Sequence, residues 1–93
     1  MNNYEVLYII KNTLDEEAKE AVIKRYEETV ISSGGSVEKI DKWGMKKFAY
    51  PINYMNDGYY VLMNFTSLPE LPKELERQLR ISDDIVRYMV IRK

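Results

Sequence analysis

The segment YEVLYII, residues 4–10, limits what this chain can fold into more than any other. Tyr4, Val6, Tyr8 and Ile10 share one parity; Leu7 and Ile9 share the other, with Glu5. Side chains alternate between the faces of a strand, so this strand is apolar on both. Such a strand belongs inside a sheet, with a neighbour on each side. The remainder of a 93-residue chain must therefore supply those neighbours and a layer to cover at least one face.

The pattern supplies both. Residues 14–31 read as an amphipathic helix, with Leu14, Ala18, Ala21, Val22, Tyr26, Thr29 and Val30 at three-and-four spacing. Thr13 with Glu16 matches a capping box, and Asp15 competes as the N-cap. Gly34-Gly35 supplies a left-handed stop. Residues 36–52 read as a long strand, NYMNDG (53–58) as a turn and YYVLMNF (59–65) as the third strand. A second helix spans 67–79, with Pro69 and Pro72 in its first turn and a stripe of Leu68, Leu71, Leu75 and Leu79. DIVRYMVIR, 84–92, is the last strand. The order β-α-β-β-α-β with right-handed crossovers predicts one ferredoxin-like domain over residues 1–93, of class α+β. Its four-stranded antiparallel sheet is expected in the order 4-1-3-2, with two helices on one face.

Composition removes several function classes. The chain has no cysteine and no histidine, hence no thiolate chemistry, no disulfide and neither the commonest general base nor the commonest metal ligand. Asp15-Glu16-Glu17 reads as the negative first turn of a helix rather than a metal site. No apolar run approaches the ~18 residues that span a membrane, and the start of the chain has no basic segment of a secretory signal. The expectation is a cytoplasmic protein without catalytic residues, metal, cofactor, membrane partner or small-molecule substrate. The net charge of −1 opposes unaided nucleic-acid binding, because phosphate neutralisation supplies most of that affinity. Charge is nevertheless uneven: residues 12–28 are acidic and 38–47 net basic.

Two features remain for function. The fold leaves one sheet face without helices, and Leu7, Ile9, Tyr60, Leu62, Met89 and Ile91 fall on it. That is a larger apolar patch than a monomer usually exposes; it is read as a docking surface for another macromolecule, the alternative being cover by neighbouring loops or lysine stems, or homodimerisation, and its aliphatic character favours protein contact over base stacking. The second feature is DKWGMKKFAYPI, residues 41–52. Phe48, Tyr50 and Ile52 share one parity, Trp43 and Met45 the other, and Gly44 stands at the phase change. A bulge at Gly44 is expected, turning Phe48, Tyr50 and Ile52 inward and re-aiming the segment from Trp43 to Lys47. The lysines would then reach phosphates or an acidic surface; the alternative is a charged edge that prevents sheet-to-sheet aggregation.

DKWGMKKFAYPI, followed by GYYVLMNF and ELERQLRISDDIVRYMVIR, resembles the bacterial family of small-subunit ribosomal protein number six. The likeness runs from NYEVLYII to Arg92, and its core is W/L-G-x-R/K-x-L-A-Y-P-I, matched at Trp43, Gly44, Lys46, Ala49, Tyr50, Pro51 and Ile52. Phe48 stands where leucine is usual, and Lys46 where arginine is common. The resemblance implies a non-enzymatic protein of the cytoplasmic small ribosomal subunit. It would bind the central domain of small-subunit ribosomal RNA together with a small basic partner, ribosomal protein number eighteen. On charge and position, Tyr4, Lys46, Lys47, Arg87 and Arg92 are expected at RNA, and Trp43, Met45, Leu62 and Ile91 at the protein partner.

Two other functions occur on this topology. A dimeric small-molecule regulatory module would carry a glycine-rich loop after the first strand, where this chain has KNTLDEE. An acyl-phosphate hydrolase would place an arginine there to cradle phosphate, and Lys11, Asn12 and Thr13 before three acids do not fit.

Overall fold

The computed structural model describes residues 1–52 and 55–93. The elements are β1 (Asn2–Lys11), α1 (Glu16–Ser32), β2 (Ser36–Ile52), β3 (Met55–Ser67), α2 (Leu71–Ile81) and β4 (Ile85–Arg92). The sheet runs β2-β3-β1-β4, all antiparallel, which is the expected order read from its other edge. β1 is central: Asn2–Lys11 pairs with Ser67–Gly58 of β3, and Tyr4–Ile10 pairs with β4. Part of the expected turn at 53–58 is strand instead, because β3 begins at Met55; Asn53 and Tyr54 lie outside the described residues.

Local chemistry fixes the ends of α1. Asp15 is the N-cap, its Oδ1 accepting from the Ala18 N–H at 2.8 Å, so it prevails over the Thr13 capping box. Glu16 and Glu17 follow in the first turn, at the positive end of the helix dipole. At the other end Gly34 is left-handed, with φ +91°. Its N–H donates to the Ile31 carbonyl at 3.1 Å and the Gly35 N–H to the Val30 carbonyl at 3.0 Å, the paired bonds of a Schellman stop.

One face of the sheet and both helices form a single core. Tyr4, Val6, Tyr8 and Ile10 of β1 and Val61, Met63 and Phe65 of β3 meet Val22, Ile23, Tyr26 and Val30 of α1 and Leu71, Leu75 and Leu79 of α2. The helical stripes differ from expectation at their margins. Ile23 is buried while Ala21 is exposed, and Leu68 is exposed because α2 starts only at Leu71. Lys19 is buried too: its ammonium lies 4.8 Å from the centre of the Tyr59 ring and 3.4 Å from Glu16 Oε1, so the stem packs while the head stays paired.

Tyr8 stands out in this core. Its ring meets Tyr26 edge-on at 5.3 Å, but its hydroxyl has no hydrogen-bond partner among the described residues. Burial first, then the charges of Tyr26, Glu27 and Glu20, hold its ionisation far above the ordinary phenol value of 10.0. Tyr8→Phe will therefore leave neutral-pH stability equal or slightly higher, since an unpaired buried hydroxyl costs ~1–3 kcal/mol. A raised folded-state value means full stability below pH ~10 and loss as pH rises, because the unfolded phenol releases its proton while the folded one keeps it. The variant will lose less, by up to ~1.4 kcal/mol per pH unit for that one proton. Urea unfolding at pH 7 and at pH 10.5 checks both halves; an equal alkaline loss in the two proteins refutes it.

Candidate nucleic-acid and protein interface

The sheet face opposite the helices is built in rows across the four strands. From one end, the pairings place Lys46–Gly58–Lys11, then Gly44–Tyr60–Ile9–Arg87, then Asp41–Leu62–Leu7–Met89, then Lys39–Asn64–Glu5–Ile91. Alternation puts all of these on the open face. Its centre is apolar, and Leu7, Ile9, Arg87 and Met89 line a shallow cleft toward β4. Met89 and Ile91 are exposed, Leu7, Tyr60 and Leu62 are half-buried, and Ile9 is buried. Ile9 is covered because Gly58 has no side chain: a Cβ there would stand 2.5 Å from Ile9 Cγ2 and 2.9 Å from Phe48 Cζ. Ile9 and Phe48 close over the glycine.

Gly44 makes the expected bulge. Its φ is +86°, and the β2–β3 register shifts between Lys42↔Val61 and Gly44↔Tyr60. A one-residue slip moves every later side chain to the other face. Trp43 thus stacks on Tyr60, ring centres 6.3 Å apart and planes 10° apart, and Lys46 lies 5.0 Å from the centre of the Trp43 ring. The same slip reverses two expectations. Phe48 does not turn into the core; it sits on the open face, 6.2 Å from Tyr60. Tyr50 is exposed, and the Ile52 side chain lies outside the described residues. Met45 pairs with Tyr59, which packs toward the helical core, so Met45 is on the opposite face from Trp43 and not beside it.

The expected RNA residues separate into three groups. Tyr4 is removed from the set: it is 6% exposed, stacked on Phe65 at 5.6 Å, because its parity in β1 points it at the helices. Lys46 and Arg87 lie toward the same end of the open face but on its two outer strands, one row apart along the sheet and three strand spacings, ~14 Å, apart across it. Lys47 is next to Lys46 but alternates to the other face, and Arg92, opposite Tyr4, stands at the far end on the helical side. All four cations are exposed and form no salt bridge among the described residues. Several other cations are engaged. Lys11 pairs with Asp84 at 3.3 Å, Lys39 with Asp41 at 3.4 Å and Lys93 with Glu5 at 3.4 Å. Lys42 hydrogen-bonds Glu20 of α1 at 2.6 Å, which holds its ammonium more basic than usual. On α2, hydrogen bonds from Arg77 and then Gln78 draw the Glu74 carboxyl down to about 2.

Sequence reasoning missed Phe48 as a member of the open face and Gly58 as the gap it fills. The signal was present in Gly58, a glycine at the start of an apolar strand, which commonly marks a close approach. Among the described residues there is no cluster of three or more His, Cys, Asp or Glu side chains arranged to hold a metal. No helix is long and apolar enough to cross a membrane.

Fold and surface together define a class: a two-layer ferredoxin-like protein that carries an apolar, cation-ended sheet face. The comparisons make the class specific. The family model described as "Ribosomal protein S6" matches residues 3–92. The small ribosomal subunit protein bS6 of Clostridium novyi is 52% identical over 91 residues, covering 98% of this chain and 96% of that one. That of Carboxydothermus hydrogenoformans is 49% identical over 92 residues, with 99% and 96% covered. The crystal structure of 30S ribosomal protein S6 from Thermotoga maritima matches with a TM-score of 0.94 at 30% identity, over 99% of this chain and 87% of that one. The C-terminal domain of MgtC from Mycobacterium tuberculosis, TM-score 0.70 at 12% identity, shares the fold alone. The chain belongs to the ribosomal protein S6 family, structural and non-enzymatic proteins of the bacterial small ribosomal subunit.

Proposed function

We propose that this protein binds small-subunit ribosomal RNA jointly with a small basic protein, ribosomal protein number eighteen, and that the open sheet face is where the protein partner docks. The observation that carries the reading is the composition of that face: an apolar centre with Lys46 and Arg87, without a salt bridge among the described residues, toward one end, on a chain of net charge −1. Trp43, Leu62 and Ile91 offer apolar area to the partner. Lys46, Lys47, Arg87 and Arg92 reach phosphates, Lys47 from the other face of the β2–β3 ribbon, where Met45 offers further apolar area.

Charge dictates the order of events. Non-specific affinity at physiological salt is typically only ~10⁻⁴ to 10⁻⁶ M even with several phosphate contacts. A chain of net charge −1 with only a few cations along its sheet falls at the weak end by itself. A basic partner supplies the missing charge, and the pair presents it to RNA in one rigid arrangement. The pair therefore binds RNA at least 100-fold more tightly than this protein alone, and by linkage RNA strengthens the protein–protein contact by the same factor. Titration of labelled central-domain RNA at 0.15 M salt, first with this protein and then with the pair, tests the reading. Tight saturable binding by this protein alone overturns it.

A further inference from the structure

We infer that Tyr50 is a base-stacking residue, holding an unpaired nucleotide of the RNA at the free end of the β2–β3 ribbon; the inference rests on the RNA-binding reading above. Three observations lead to it. β1 ends its pairing with β3 at Lys11↔Gly58, so the ribbon past Lys46↔Gly58 runs beyond the central strand. Within that ribbon the ladder is interrupted: between Lys47↔Asp57 and Ile52↔Met55, residues 48–51 of β2 stand against Asn56 alone. The surplus length breaks the ladder there, and Phe48, held against Tyr60 and over Gly58, anchors the near end of the break. Tyr50, two residues on, is 80% exposed.

A single exposed aromatic is ordinary on a protein surface. Tyr50 differs because of what surrounds it and what the rest of the molecule lacks. Bases of RNA loops and bulges are bound by stacking on aromatic rings beside cations that take the flanking phosphates. The central strands of the open face cannot do this. Their middle row is Leu62, Leu7 and Met89, and the one aromatic ring there, Tyr60, is flanked by Trp43 and Phe48. Trp43 in turn has Tyr60 and the Lys46 ammonium against it. Tyr50 is exposed and has no ring or cation stacked on it among the described residues, and Lys46 and Lys47, exposed and without a salt bridge among the same residues, precede it by four and three positions. A base on Tyr50 with a flanking phosphate toward Lys46 on the open face, or toward Lys47 on the other, uses a ring and a cation together.

The test uses the full chain with its basic partner and a central-domain RNA fragment. Dissociation constants are measured at three salt concentrations for the wild type, Tyr50→Phe, Tyr50→Ala and Lys46→Ala. Stacking needs the ring and not the hydroxyl, so Tyr50→Phe will bind within about twofold of wild type, while Tyr50→Ala weakens binding roughly 5- to 150-fold. The salt slope of Tyr50→Ala will equal that of wild type, whereas Lys46→Ala lowers it by about one. Partner affinity measured without RNA will be the same for Tyr50→Ala and wild type. If Tyr50→Ala binds RNA as wild type does, the stacking role is wrong while the RNA-binding reading stands. If Tyr50→Ala loses partner affinity in the RNA-free titration, Tyr50 is a protein contact and the inference is overturned. If the wild-type pair does not bind the RNA, both fall together.

Discussion

Leu62→Lys will leave the protein folded and lower its affinity for the basic partner roughly 30- to 1,000-fold, the range of a central interface residue. Leu62 lies at the middle of the open face, between Asp41 of β2 and Leu7 of β1, with Met89 beyond. It is only half-buried, and the core lies on the other side of the sheet, so the substitution costs little in folding. In the complex it costs much. In the proposed complex the lysine stem would replace the leucine's apolar contact, and its ammonium would face a partner of the same sign in a desolvated site. Ile91→Lys, at the β4 margin, will cost several-fold less because a rim charge stays hydrated. Calorimetric titration without RNA, alongside a thermal melt, gives the answer. Unchanged partner affinity for a folded Leu62→Lys removes the open face as the docking surface and leaves the outer edge of β2.

The largest effect on folding will come from Gly35→Ala. A Cβ at Gly35 would stand 2.7 Å from the Thr66 carbonyl oxygen, 2.9 Å from Val30 Cγ1 and 3.0 Å from the Val30 carbonyl oxygen. Two of these are backbone atoms of β3 and α1, and the Val30 carbonyl also accepts the hydrogen bond that ends the helix. None can withdraw without separating α1 from the sheet. The loss will be about 3 kcal/mol, or roughly 12–24 °C in melting temperature for a chain of this size. Gly34→Ala is the contrast. Its φ of +91° strains any other residue, but a Cβ there meets nothing within 4 Å. It will cost about 1–2 kcal/mol, the ordinary penalty of a left-handed residue. Urea denaturation of the two variants settles the comparison; a larger loss at Gly34 would show that conformation, not space, sets this helix end.

Much of the fold was legible because period and capping agree with packing. YEVLYII reads as central and is paired on both sides. Leu71, Leu75 and Leu79 read as a stripe and are buried together. What was not legible depends on backbone phase. The bulge at Gly44 could be read from the break in alternation, but not which side each residue would take after it. A bulge places two residues against one, and either half of the strand can be the one that keeps its phase. Here the first half keeps it, so Phe48 turned to the open face and Met45 parted from Trp43. Tyr4 was misplaced for another reason. Exposure was inferred from its position near a chain end, whereas its parity with Val6 and Tyr8 already aimed it at Phe65. Asn53–Gly58 reads as a turn by composition, yet Met55–Gly58 extends the ribbon. A hairpin partner can impose extended backbone on turn-forming residues, since the pairing itself supplies their hydrogen bonds.

The interruptions in β2 have a consequence for the protein whenever its sheet edges are uncovered. An exposed sheet edge is a template on which another chain can grow, and cross-chain growth needs an unbroken stretch of about six or seven residues. β2 is the longest strand and lies at an edge, but its register shifts after Val37, after Lys42 and after Lys47. Between those breaks the regular ladder runs only from Lys39 to Lys42 and from Gly44 to Lys47. Among the described pairings no regular stretch of this edge reaches that length. The opposite edge is regular from Arg87 to Arg92, and there the apolar run Tyr88–Ile91 is closed at both ends by an arginine. One edge is thus protected by geometry and the other by charge, and the charged one loses its protection as salt rises.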